Sequence, residues 1–394
     1  MSKLNSFQGD ASLSIGHMAG MIDLAALPLW VGVLMQYYQL PPERAGLTIT
    51  MFLGAVVLAS CLLAPQFHRL HHRAVAVSGF AVAALSFFAA SRIFVGDVSF
   101  QTLLILHAVA GLGAGSGLSV SHGLMGRTVN PHRLFGIANV TMGALAIVMF
   151  AVLPGIIRQN GGHVLFEALA LIMAFASACA VFFYPSIEKT IEGAATRKAE
   201  PRAPLSPAVW PVIGVIICLA MNQAMIFSFV ERIGVELGFG EERVQIILVV
   251  MGFINLAPGL LAALLQNRLS ATTVGTIAPI LQATFAVSLT GTTYFPLYAA
   301  PMAFFVCLVI FTHVFLFGLL SKIDKSGRAV AATPAMMMFG SALGPALGGA
   351  IVAGIGYRGL GWAAVLIASL ALVLILLARR LLAQTEKKPA MVSA

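Results

Sequence analysis

SIEKTIEGAATRKAEPRAPLSP, residues 186–207, is the longest polar stretch in the chain, and what it separates decides the fold. It is rich in charge, Ala and Pro and has no helical periodicity, which is the composition of a linker. On both sides lie apolar runs of about 20 residues, the length that crosses a hydrocarbon core of roughly 30 Å. Six precede it, at 12–36, 44–64, 74–94, 99–123, 134–156 and 163–184. Six follow, at 208–231, 243–265, 271–291, 296–320, 330–354 and 358–380. The 394 residues are 59% hydrophobic and 9% charged, with a mean hydropathy of +0.96, which excludes a soluble globular domain. The runs do not alternate as barrel strands do. The expected fold is an all-α polytopic membrane protein of 12 transmembrane helices in two six-helix bundles, residues 1–185 and 208–394, with 186–207 as the linker between them. The first run is too long for the apolar core of a cleaved leader and reads as a retained helix.

A formal charge of +9 raises the question of nucleic acid, and the distribution of the cations answers it. With the amino terminus placed in the cytoplasm, 17 of the 23 Lys and Arg fall at cytoplasmic ends and 6 at the opposite ends. That asymmetry is the positive-inside signal of a membrane protein, so no nucleic-acid partner is expected and both termini are read as cytoplasmic. Cys61, Cys179, Cys218 and Cys307 match no metal or redox spacing and read as packing residues. No cofactor is expected.

The two sets of six also resemble each other. At an offset near 199 residues, HRL at 68–70 meets NRL at 267–269, and Arg133 followed by Gly143 parallels Arg328 followed by Gly340. Two six-helix repeats around a polar linker resemble the major facilitator superfamily over the whole chain. The resemblance implies a substrate site near the bilayer midplane between two halves that rock to expose it alternately. Its loop motif between helices 2 and 3 stands here as APQFHRLHHR, residues 64–73. Arg69 and Arg73 match the motif and carry its gating role as an expectation, whereas His68 replaces the acid and His71 a glycine. In helix 4, HAVAGLGAGSG at 107–117 puts His107 where the family often has an arginine implicated in proton transfer. Its glycines, inside an apolar helix with no strand before them, imply close helix packing and not a dinucleotide loop.

Ionisable groups inside a bilayer are costly and mark function. Asp23 lies mid-helix, on one face with Gly16 and Trp30, and is read as a proton carrier and substrate contact. His107 and His313 join it as proton-coupling candidates, with His17 and His122 nearer the cytoplasmic ends. Protons are preferred over sodium, which favours clusters of oxygen ligands and broken helices. Helix 7 carries MNQAMIFSF at 221–229, so Asn222, Gln223 and Phe227 are candidate substrate contacts, as are Trp30 and Asn255, the last ahead of a kink expected at Pro258 and Gly259. Glu231 and Arg232 read as a surface or gate salt bridge. No Lys or Arg falls mid-helix, which disfavours a multiply charged anion and favours a neutral, amphipathic or cationic organic solute.

The expected function is therefore a proton-coupled secondary transporter, export preferred to uptake, monomeric, and seated in the lipid of a bacterial inner membrane. An alternative is copper uptake through Met221, Met225 and Met251, although Ile247 stands where a histidine ligand would be needed. A second alternative is a sensor or assembly partner that moves nothing. No enzyme is expected, because no nucleophile–base pair or metal-ligand spacing stands out. GSALGPALGG at 340–349 completes the set: Gly340, Gly344 and Gly348 form a smooth stripe, Pro345 permits a bend, and Gly46 and Gly54 of helix 2 are expected to meet it as a sliding contact.

Overall fold

The computed structural model describes residues 4–93, 100–185, 205–324, 326 and 328–387. Most of the linker lies outside the described residues, as do Lys3, Lys325 and Lys388. Among the described residues eleven helices are long and apolar enough to cross a membrane, and one bent pair makes the twelfth span. In chain order, span 1 is Phe7–Gly20 plus Asp23–Gln36, span 2 Pro42–Leu63, span 3 His72–Ser91, span 4 Phe100–Met125, span 5 Pro131–Asn160 and span 6 His163–Phe183. Span 7 is Val209–Glu236, span 8 Glu241–Ile254 plus Pro258–Leu265, span 9 Ala271–Gly291, span 10 Phe295–Ile323, span 11 Thr333–Ile355 and span 12 Tyr357–Lys387. The end where span 1 starts and span 12 stops is called the terminal end below, and its opposite the distal end.

Spans 2, 3, 4 and 6 pack on one another with span 1 against spans 4, 5 and 6, while spans 7, 9, 10 and 12 form the corresponding group with span 11 on span 7. The two groups join chiefly through spans 2 with 11, 5 with 8, and 1 with 7. The first two pairings are one pairing read from either group, as two copies of one six-helix unit require.

Two spans are broken. The kink expected in span 8 is present: its pieces meet at 41°, with Pro258 at the first position of the second piece, where its missing N–H costs nothing. The break in span 1 corrects the continuous helix expected from hydropathy. It falls at Met21 and Ile22, and the second piece opens on Asp23. A carboxylate there competes for the backbone N–H groups of Asp23 and Leu24. Pro28 removes the bond that would have been made to the Leu24 carbonyl, so the first turn of this piece is open from both sides.

The short loop into span 11 is held by Asp324. Its Oδ2 accepts from the Ala329 N–H at 2.8 Å, and its Oδ1 accepts from the N–H and hydroxyl of Ser326 at 3.0 and 2.5 Å. These donors, the Ala329 N–H first, hold its carboxyl below the usual carboxylate range. A depressed acid stabilises the fold above its unfolded pKa and loses that contribution as pH falls through the folded value. Asp324→Ala is thus expected to lower the thermal midpoint in detergent at pH 7, with the gap to wild type closing below about pH 4. A gap unchanged from pH 7 to pH 3 contradicts the assignment.

Candidate functional site

Trp30, on the second piece of span 1, turns into the first group of spans. Its indole N–H donates to His107 Nε2 at 3.1 Å, and His107 Nδ1 lies 2.8 Å from the Leu103 carbonyl. An indole can only donate and a carbonyl can only accept, so this geometry describes a neutral imidazole with its proton on Nδ1. Phe52, Phe87 and Phe166 surround the pair, and all five rings are buried. His107 is therefore part of an aromatic box within the first group. Trp30→Phe keeps a ring and strands a buried acceptor, and is expected to cost about 1–3 kcal/mol, read as a lower thermal midpoint.

Asn222 turns into the second group. Its amide donates to Gln282 Oε1 at 3.2 Å and to the Ala364 carbonyl at 3.3 Å, and Gln282 donates to the Leu219 carbonyl at 3.1 Å. This network joins spans 7, 9 and 12. Gln223, the next residue on span 7, is half-buried, and Phe227 one turn on is buried. His313 Nε2 sits 3.4 Å from the Ile216 carbonyl and its ring stacks on Phe317. His17 and His122 meet at 2.8 Å, Nδ1 to Nε2, with the rings stacked.

Asp23 differs from all of these. It is 3% exposed, it sits at the amino end of a half-helix whose dipole favours negative charge, and its Oδ1 has no hydrogen-bond partner among the described residues. Asn222 Oδ1, Asn255 Oδ1 and His313 Nδ1 are buried without a partner in the same sense. Asp10 Oδ1, His17 Nε2 and Arg232 Nε are also buried without a partner among the described residues. Buried polar atoms are almost always satisfied, so these seven have bonding capacity left for water or a solute.

The chain does not gather every expected residue into one pocket. Trp30 and His107 belong to the first group, Asn222 and His313 to the second. Arg73 donates to the Val181 carbonyl of span 6 and Arg69 is exposed, so the gate expected of the pair links nothing across the groups here. His68 at the acidic position of the loop removes the charge that would have made such a link. Met225 and Met251 are buried, with Met225 packed on Gly344 and Gly348, and Met221 is half-buried. No cluster of three His, Cys, Asp or Glu side chains able to hold a metal occurs among the described residues.

The hydrogen bonds that tie the two groups lie in the distal half. Arg158 donates to Gln245, Gln245 donates to the Phe150 carbonyl, and Arg232 donates to Gln36. The most telling is Thr50 of span 2. Its hydroxyl donates to the Ala342 carbonyl at 2.6 Å and accepts from the Ala346 N–H at 3.0 Å, standing inside the helical bond those two groups would otherwise share. Beside it Gly46 lies against the Pro345 carbonyl, and further out Gly349 lies against Pro42. The glycine stripe itself is corrected: Gly340, Gly344 and Gly348 face span 7, and the opposite face of span 11 meets span 2. Gly54 faces open space. A stripe read from spacing shows that one face is smooth, not which neighbour it receives.

Twelve spans in two like groups, with orphaned polar atoms inside and a closure between groups at one end, define a helical membrane carrier. The chain belongs to the major facilitator superfamily, whose family model matches residues 13–323. Similar solved structures include a D-xylose-proton symporter, with 14% identity, TM-score 0.72, and 93% of this chain and 97% of that one covered. The nucleoside transporter NupG is similar at 14% identity and TM-score 0.71, over 95% of this chain and 98% of its own. A bacterial homologue of the human lysosomal transporter Spinster is similar at 11% identity and TM-score 0.69, over 94% and 96%. No curated protein sequence matches the chain.

Proposed function

We propose that the chain is a proton-coupled secondary transporter of a small organic solute, neutral, amphipathic or cationic, working by alternating access between bundles of residues 1–185 and 208–394. One observation carries the reading. Asp23 is a buried carboxyl with an unpartnered oxygen at the break of a span that packs on both bundles. An acid in that position can exchange a proton and meet a solute as the bundles move. The unpartnered Asn222, Asn255 and His313 atoms supply further polar contacts, and the excess of cations at the terminal end supports placing both termini in the cytoplasm. A broken span also occurs in sodium-coupled carriers; here the second piece opens on one carboxylate, and no group of three His, Cys, Asp or Glu side chains able to hold a metal occurs among the described residues.

The test is proton movement in proteoliposomes that enclose a pH-sensitive dye. Sugars and nucleosides come first, because the similar structures include a xylose symporter and a nucleoside transporter, and cationic and amphipathic solutes follow. At least one solute is expected to drive proton movement, and the sign of the pH change separates export from uptake. Silence across the panel favours the sensor. Copper flux lost in Met221→Ala and Met225→Ala favours the metal importer.

A further inference from the structure

The distal closure contains a carboxyl, Glu231, that makes no ion pair among the described residues. Glu231 of span 7 reaches across to span 1, where Gly32 leaves a notch. A Cβ built on Gly32 overlaps Glu231 Oε2 and stands 3.1 Å from its Cδ. The fit depends on a glycine at this one position. The neighbour expected to pair with Glu231 is turned away, because Arg232 donates to Gln36 Oε1 at 3.4 Å and bonds to Tyr357. Arg92, just past span 3, does form an ion pair, with Glu167 of span 6 at 3.0 Å.

Beside the notch is a cavity of about 40 Å³, lined by Gly32, Gln36, Tyr37, Arg158, Glu231 and Gln245. At about 10–15 Å³ for each, it has room for two or three water molecules. The charged and titratable groups around Glu231 are Arg232 on its own span, Tyr37 on span 1, Arg158 on span 5, Glu241 on span 8, Tyr298 on span 10 and Tyr357 on span 12. Two are cations, one is a carboxylate and three are phenols, and neither cation makes an ion pair with Glu231.

We propose that Glu231 is a second proton-binding carboxyl of the transport cycle, one that closes the distal gate as the neutral acid and releases it as the carboxylate. The neutral form fits against the Gly32 backbone without a counter-ion. When the proton passes to water in the small cavity, the carboxylate is left against the Gly32 backbone with no ion pair. A charge so placed favours the state in which spans 1 and 7 part and water reaches it. This assignment rests on the proton-coupled reading above, but it concerns a different residue and a different step from Asp23.

The experiment reads gate opening without any solute. Leu248 is fully buried and lines the cavity. Leu248→Cys in a Cys61→Ser background, which removes the exposed native thiol, is labelled in nanodiscs with a water-soluble maleimide from pH 5 to pH 8. Rates are corrected for thiolate formation with an exposed cysteine control. The corrected rate is expected to rise with pH, by up to about tenfold per unit for one proton. Glu231→Gln is expected to label slowly at every pH. Gly32→Ala, which displaces the carboxyl and keeps it, is expected to label rapidly at every pH. The readout uses neither a solute nor an Asp23 variant, so failure of the Asp23 assignment leaves it intact. The proposal is overturned if Glu231→Gln keeps the pH profile or labels rapidly throughout. Should Glu231→Gln not fold, Gly32→Ala decides alone: wild-type behaviour there overturns the proposal.

Discussion

Asp23→Asn is expected to abolish accumulation of solute against its gradient while leaving the protein folded and able to exchange solute across the membrane. The two consequences part because the carboxyl has two properties that the amide separates. As a hydrogen-bonding side chain it sits at the first position of the second half of span 1, near the N–H groups of Asp23 and Leu24, and an amide oxygen can occupy the same place. The lost attraction between a carboxylate and the helix dipole is worth about 0.3–1 kcal/mol, or up to about 2 in a partly buried site, too little to unfold the protein. As a proton carrier the amide is useless. Coupling to one proton allows a solute ratio of about tenfold for each unit of pH difference, since one unit is 1.36 kcal/mol. In proteoliposomes carrying the Asp23→Asn variant that ratio is expected to fall to one, and solute-driven proton movement to background. Exchange of labelled for unlabelled solute continues. Accumulation at the wild-type level in this variant removes Asp23 from the coupling step.

What could be read in the sequence follows from the range of the interaction involved. Hydropathy is local, so the twelve spans were legible, and Pro258 marked the kink in span 8. Repetition is also legible: the HRL and NRL matches anticipate the crossed pairing of span 2 with 11 and span 5 with 8. The need for partners in hydrocarbon singled out Asp23, Asn222, Asn255 and His313, each of which has a buried atom without one.

The partners themselves were hidden. Gln282 completes the Asn222 network from 60 residues away, and Trp30 meets His107 from 77 away. Neither distance leaves a periodic trace. The break in span 1 follows Gly20 and precedes Pro28, but single glycines and prolines recur in other spans that stay continuous, and the buried Asp23 that competes with its own helix is visible only in the structure. Thr50 is one of two threonines in its helix, and only the neighbouring span makes its hydroxyl special. Glu231 and Arg232 invited pairing as sequence neighbours, but adjacent residues on a helix point about 100° apart, so Glu231 meets Gly32 while Arg232 bonds to Gln36 and Tyr357.

Gly46→Ala is expected to open the distal closure and stop transport, while Gly54→Ala, eight residues on in the same span, is expected to be harmless. The contrast isolates the contact from the chemistry, since both changes add one methyl group to span 2. At Gly46 the new Cβ overlaps the Pro345 carbonyl oxygen and stands 2.8 Å from its carbon. Those are backbone atoms of a packed helix and cannot rotate aside. Spans 2 and 11 must separate there, and the first loss is the Thr50 bridge one turn away, whose two bonds of 2.6 and 3.0 Å have little slack. Two hydrogen bonds at about 0.5–1.5 kcal/mol each, with overpacking of about 1–3, give a shift of roughly 2–6 kcal/mol away from the closed state. At about 1.4 kcal/mol per factor of ten, that is a change of roughly 30-fold or more in the closed-to-open ratio. At Gly54 nothing lies within 4 Å, and alanine's better helix propensity stabilises the span by up to about 1 kcal/mol. Spin labels at Glu43 and Ile355, at the distal ends of spans 2 and 11, measure the difference directly. A longer distance in Gly46→Ala and an unchanged one in Gly54→Ala are expected. If both variants keep the wild-type distance and rate, the Gly46 contact does not hold the gate.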